Sequence, residues 1–224
     1  MVLLHKLKEN AKTRCFAAVC LLLAVTALLL PVEAQAASVS DFADVSSGAW
    51  YYSAVSYVTS KGLFNGTGNG KFSPNDSMTR DMIVTVLWRL DGEPKADEPA
   101  SFTDIAADKW YADAVAWGQA NDIVNGIGHD LFAPGQEVTR EQIAAMLYRY
   151  AKFKGYDVSV GEDTNIISFN DYDQTSKWAV PAMQWAVGAG IINGDSKGNL
   201  NSTASATRAE VATMLQRFIA FAEG

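Results

Sequence analysis

The sequence writes one pattern three times, and that limits the fold more than any property of its composition. Setting Trp50, Trp110 and Trp178 in register aligns roughly the next forty positions without a gap. Ala54, Ala114 and Ala182 then coincide, as do the aromatics Tyr57, Trp117 and Trp185. The pairs Asn65-Gly66, Asn125-Gly126 and Asn193-Gly194 follow, and later the threonine-preceded Arg80, Arg140 and Arg208. Arg89, Arg149 and Arg217 close the pattern, and a Phe-x-Asp ending at Asp44, Asp104 or Asp171 opens it. A unit of about 55 residues is too small to bury a core alone, so three units are expected to pack as one domain. Length varies only between blocks, in the stretches 91–101 and 151–168. The repeats are accordingly assigned to 37–92, 93–155 and 156–224.

Each block reads as helix, loop, helix. Trp110, Ala114, Trp117 and Gly118 recur at helical spacing, as do Trp178, Ala182, Trp185 and Ala186. The Asn-Gly turn is expected to end this first helix with positive φ. Phe72-Ser73-Pro74 or Phe132-Ala133-Pro134 leads into a second helix with threonine as its N-cap. Thr139-x-x-Gln142 and Thr207-x-x-Glu210 form capping boxes, whereas Met82 leaves the first repeat without the second half of one. Ile83, Val86, Leu87 and Leu90, echoed by Ile143, Met146, Leu147 and Tyr150, supply the buried face. The expected class is mainly α, with a short extended piece at each Phe-x-Asp.

The N-terminus adds a segment of another kind. Lys6, Lys8, Lys12 and Arg14 precede an apolar run from Cys15 to Leu30, and Ala34-Gln35-Ala36 offers small residues for cleavage, so residues 1–36 read as a secretory signal. Its removal takes four basic and two acidic residues from the 18 and 25 of the whole chain, leaving 14 and 23 and a net charge of −9. Both cysteines go with it, and His129 is the one remaining histidine. Thiol catalysis, cysteine zinc sites, disulfides and a histidine triad are thereby excluded from the mature chain. No other apolar run is long enough to span a membrane, and the negative charge without a basic stripe argues against nucleic acid. The loop from Asn193 falls short of a calcium site because Ala204 stands at its twelfth position.

Arg80, Arg140 and Arg208 sit just after an N-cap, where the helix dipole disfavours a cation. Two explanations fit: an anionic ligand held at that helix end beside free N–H groups, or an internal partner, for which Asp44, Asp104 and Asp171 are the candidates. Trp50, Trp110 and Trp178 are open between core packing and a sugar-stacking platform, whereas Tyr57, Trp117 and Trp185 read as core. Arg89, Arg149 and Arg217, late in their helices, read as surface or packing residues.

In that order, Phe-x-Asp, Trp, Ala-x-x-Trp, Asn-Gly, Phe-x-Pro and Thr-Arg resemble the S-layer homology domain, whose hallmark tetrapeptide is intact as Thr207-Arg208-Ala209-Glu210. The second repeat has Thr139-Arg140-Glu141-Gln142 and the first Thr79-Arg80-Asp81-Met82. The resemblance implies a three-pronged, pseudo-threefold bundle of helix-loop-helix repeats. It also implies a non-catalytic module, without cofactor or metal, that binds secondary cell-wall polysaccharide, pyruvylated, or another peptidoglycan-linked polymer in grooves between repeats. Carried over residue by residue, Arg80, Arg140 and Arg208 would meet the polymer's carboxylates. Asp44, Asp104, Asp171, Trp50, Trp110, Trp178 and the backbone at Gly66, Gly126 and Gly194 would shape the grooves. The third repeat departs at Leu200-Asn201-Ser202, which replaces Phe-x-Pro, and the first in its tetrapeptide, so three equal grooves are not expected. The implied location is the cell wall or S-layer surface of a bacterium. Because Gly224 follows soon after the third repeat, the anchored cargo is expected to be another chain, which makes an adaptor that tethers a surface protein the alternative reading. A wall-remodelling enzyme is a weaker third.

Overall fold

A computed structural model describes residues 37–224, so the expected signal segment lies outside the described residues. Among the described residues six α-helices alternate short and long: α1 (Tyr52–Ser60), α2 (Arg80–Leu90), α3 (Ala112–Ala120), α4 (Arg140–Phe153), α5 (Val180–Gly188) and α6 (Arg208–Glu223). Each repeat supplies one of each kind, and among the described residues there is no strand. The extended pieces expected at Phe-x-Asp are turns instead. Backbone pairing occurs as isolated bridges, three of them just ahead of the long helices, at Ser77 with Thr207, Thr79 with Glu137 and Thr139 with Ser205.

Those bridges close a ring. The Met78 N–H donates to the Ala206 carbonyl at 2.9 Å, Ala206 to Val138 at 3.0 Å, and Val138 back to Met78 at 2.9 Å. All three side chains are fully buried, so the backbone groups at the centre of the molecule have no water to fall back on and must pair with one another. Helix packing follows the same cyclic rule: α3 packs on α2, α5 on α4, and α1 on α6. Each helical pair thus joins two different repeats, and the last repeat meets the first.

The caps form as the threonines dictate. Thr139 and Thr207 accept from the Gln142 and Glu210 N–H groups, and both boxes are complete. Thr79 makes no cap bond, and its hydroxyl turns to the Asp81 carboxylate. Ile83, Val86, Leu87, Ile143, Met146, Leu147 and Tyr150 are buried as the helical pattern requires, and so are Trp117 and Trp185. Leu90 and Tyr57 are half-buried.

The end of the first helix needs a correction. It stops before Asn-Gly, with positive φ at Gly62 (70°), Asp122 (55°) and Gly190 (68°), while Gly66, Gly126 and Gly194 are not in the left-handed region. These last glycines answer to space. A methyl group on Gly126 would lie 2.6 Å from the Leu131 carbonyl oxygen and 2.9 Å from the Phe102 ring, and one on Gly66 would lie 2.6 Å from the Phe42 ring. The Phe of each Phe-x-Asp therefore lies flush against the Asn-Gly backbone of its own repeat.

Candidate functional site

The three recurrent arginines are structural first. Arg80 Nε donates to the Phe132 carbonyl and Nη2 to the Asn125 carbonyl, both at 2.7 Å. Arg140 reaches Leu200 (2.9 Å) and Asn193 (3.2 Å) in the same way, and Arg208 reaches Phe72 (2.7 Å) and Asn65 (2.8 Å). Every acceptor belongs to a neighbouring repeat. Arg80 and Arg208 also lie over the Phe132 and Phe72 rings, with centroids at 4.7 and 4.6 Å. Leu200 gives Arg140 no such ring. All three are buried, and burial lowers the pKa of each guanidinium.

Neither explanation offered by the sequence names these partners. Among the described residues no carboxylate lies within ion-pair reach of Arg80 or Arg208. The aspartates instead hold the other side of the same peptides. Asp44 accepts from the Phe72 and Ser73 N–H groups, Asp104 from Phe132 and Ala133, and Asp171 from Leu200 and Asn201, all at 2.7–2.8 Å. Burial alone would raise the Asp44 carboxyl, but its backbone donors outweigh that and hold it below the ordinary carboxylate value. Each loop is therefore clamped between an aspartate from its own repeat and an arginine from another. The helix N–H groups are also occupied. Arg80 and Asp81 donate to Gln136 and Pro134, Arg140 and Glu141 to Ala204 and Ser202, and Arg208 and Ala209 to Asp76 and Pro74.

What remains open is a groove beside each arginine, built from three repeats at once. The first groove is lined by Arg208, Asn65-Gly66, Arg89 and Trp110. A second has Arg80, Asn125-Gly126, Arg149 and Trp178, and a third has Arg140, Asn193-Gly194, Arg217 and Trp50. The expected arginines, tryptophans and glycines thus come together, whereas Asp44, Asp104 and Asp171 do not line the grooves and act behind them. Trp50, Trp110 and Trp178 are 67%, 59% and 55% exposed, which removes the core-packing reading. Trp50 and Trp110 pack nearly perpendicular to Tyr51 and Tyr111, with ring centroids 5.3 and 5.2 Å apart.

Arg89, Arg149 and Arg217 were the residues that sequence reasoning set aside. They line the same grooves, and Arg89 and Arg217 also donate to the Leu63 and Ile191 carbonyls. Their recurrence nine positions after the first arginine set was the available signal. A groove of this make-up offers two guanidinium groups, a stacking surface and backbone polar groups, which suits an anionic carbohydrate. No group of three or more metal-ligating side chains occurs among the described residues, and Asp195 is spent on its own loop, accepting from the Lys197 and Asn199 N–H groups.

Comparison with known proteins agrees with this architecture. The family model for the S-layer homology domain matches residues 41–81, 101–144 and 168–212. The chain is 31% identical over 215 residues to the surface-layer 125 kDa protein of Lysinibacillus sphaericus, covering 95% of this chain and 17% of that protein. It is 25% identical over 211 residues to an S-layer protein of Bacillus thuringiensis subsp. finitimus, covering 94% and 25%. It is also 26% identical over 178 residues to an endoglucanase of Bacillus sp. (strain KSM-635), covering 80% and 18%. The chain therefore spans a quarter or less of these relatives. With three matched segments in tandem, each contributing one arginine to a neighbour's loop, the chain belongs to the S-layer homology domain family.

Proposed function

We propose that this protein is a non-catalytic anchoring module that holds itself, or a partner chain, at the bacterial cell wall by binding a pyruvylated secondary cell-wall polysaccharide in its inter-repeat grooves. The observation that carries this reading is the recurrence, in three places, of an arginine pair beside an exposed tryptophan. Carboxylates on the polymer meet the guanidinium groups and sugar rings lie on the indoles. A protein of net charge −9 without its signal segment binds such a polymer against its overall field, so affinity rests on these few local cations. Similarity that covers a small share both of surface-layer proteins and of an endoglucanase fits an accessory anchor that travels between proteins of different activity.

The test is co-sedimentation with native sacculi and with sacculi stripped of secondary polymer by hydrofluoric acid. Pelleting with native sacculi alone is expected. Equal pelleting with both preparations would assign binding to peptidoglycan itself and overturn the reading. Incubation with purified wall, followed by assay for released sugar, is expected to show no hydrolysis.

A further inference from the structure

The three grooves share a plan but not a charge. In the groove of Arg80 and Arg149 the third residue of the long helix is the neutral Gln142, and Ile127 follows the Asn-Gly pair. In the groove of Arg140 and Arg217 the same positions hold Glu210 and Asp195. The Glu210 carboxylate lies 3.6 Å from Arg140 Nη1, the donor that the neighbouring carbonyls leave over. Two cations there face two anions. In the groove of Arg89 and Arg208, the Arg89 Nε has Glu93 at 3.9 Å. Arg149 alone of the three late arginines makes neither a hydrogen bond nor an ion pair within 4 Å among the described residues, with the Asp122 carboxylate acting on it only from farther away. Size runs the same way, with volumes of about 440, 360 and 200 Å³ for the Arg149, Arg89 and Arg217 grooves. The last falls below the range usual for ligand pockets, roughly 300–1,000 Å³.

On the reading that the grooves bind an anionic glycan, we propose that they are ranked. The groove formed by Arg80, Arg149, Gln142 and Trp178 is the primary site for the carboxylate-bearing sugar, and Glu210 is a specificity residue that keeps such a sugar out of the groove beside Trp50. Burial disfavours the Arg80 charge, Asp104 supports it and Arg149 opposes it, so a carboxylate bound between the two guanidinium groups offsets that opposition. In the third groove Glu210 already occupies the position such a carboxylate would take. The hallmark tetrapeptide of the third repeat is thereby divided between two grooves, its Arg208 lining the one beside Trp110 and its Glu210 the weakest anion site of the three.

Indole ¹⁵N–¹H resonances report on the grooves separately, since Trp178, Trp110 and Trp50 each line one, and single Trp→Phe variants assign them. The probe is a methyl hexoside carrying a 4,6-pyruvyl ketal, with the unketalised glycoside as control. The Trp178 resonance is expected to titrate at the lowest probe concentration and Trp50 at the highest. Glu210→Gln removes one carboxylate near the bound anion and lowers the Trp50 midpoint about tenfold, leaving Trp178 unmoved. The fold is kept in that variant because Gln142 makes the same cap in the second repeat. Equal midpoints at Trp50 and Trp178, or a Trp50 midpoint unmoved by Glu210→Gln while Trp178 responds, would overturn the ranking alone. Silence at all three indoles, or an equal response to the uncharged glycoside, would overturn the anion-binding reading and the ranking with it.

Discussion

Replacing Arg208 by alanine should cost this protein stability before it costs binding. The side chain donates to the Phe72 and Asn65 carbonyls and lies over the Phe72 ring. Leaving the buried Phe72 carbonyl without a donor costs about 1–3 kcal/mol and the part-buried Asn65 carbonyl about 1 kcal/mol, and loss of the ring contact adds about 1 kcal/mol. Relief of the buried charge offsets part of this, as the lowered pKa of Arg208 indicates, so we expect a net loss of about 3 kcal/mol. For a domain of this size, each kcal/mol moves Tm by roughly 2–4 °C, which predicts a fall of about 6–12 °C by calorimetry or circular dichroism. Arg208→Lys keeps the charge but cannot reach both carbonyls at once, and should recover less than half of the loss. Because Asp44 clamps the Phe72–Ser73 peptide from its other side, accepting from the Ser73 N–H, Asp44→Ala combined with Arg208→Ala should cost less than the sum of the two. A fall in Tm below about 2 °C for Arg208→Ala would refute the bracing role.

Other outcomes follow from particular contacts. Gly126→Ala places a methyl group 2.6 Å from the Leu131 carbonyl oxygen and should destabilise by about 1–3 kcal/mol, readable as a lower midpoint in urea. Burial raises the pKa of Asp81 despite its bond to Thr79, so that group favours the fold below its unfolded pKa and disfavours it as pH rises through the folded value. Asp81→Asn should therefore raise Tm at pH 7 and leave it nearly unchanged at pH 3. Asp44, with its pKa lowered, has the opposite sign. Its contribution is present above the unfolded pKa of about 3.9 and is lost as pH falls further, so the Tm difference between the parent and Asp44→Asn should shrink below pH 4. Trp178→Ala should leave Tm within about 2 °C, because the ring is exposed, while weakening co-sedimentation with native sacculi.

Local structure was legible in the sequence wherever one segment decides it. The capping boxes at Thr139 and Thr207, the incomplete one at Thr79 and the buried faces of the long helices all follow from residues within one or two turns. The partners of Arg80, Arg140 and Arg208 were not legible, because each acceptor is a main-chain carbonyl of another repeat, and carbonyls carry no residue signature. For the same reason Asp44 looked like a counter-ion to an arginine, when the two meet only through the peptide between them. Arg149 was set aside because its place late in a helix gives it a sufficient local reason to be cationic; only the cyclic packing brings it to Arg80.

The pairing of α1 with α6 also sets an order of events for a chain as it is made. A nine-residue helix such as α1 is too short to persist in water by itself, and its packing partner begins at Arg208. Among the described helices, the first synthesised must wait for the last. The Met78 N–H likewise lacks its protein acceptor until Ala206 arrives. Folding is thus a late event that spans almost the whole length and is slowed by closure of a very long loop. A ribosome-bound intermediate that lacks the third repeat would carry α1 unpaired and its central ring open, a form suited to capture by a chaperone.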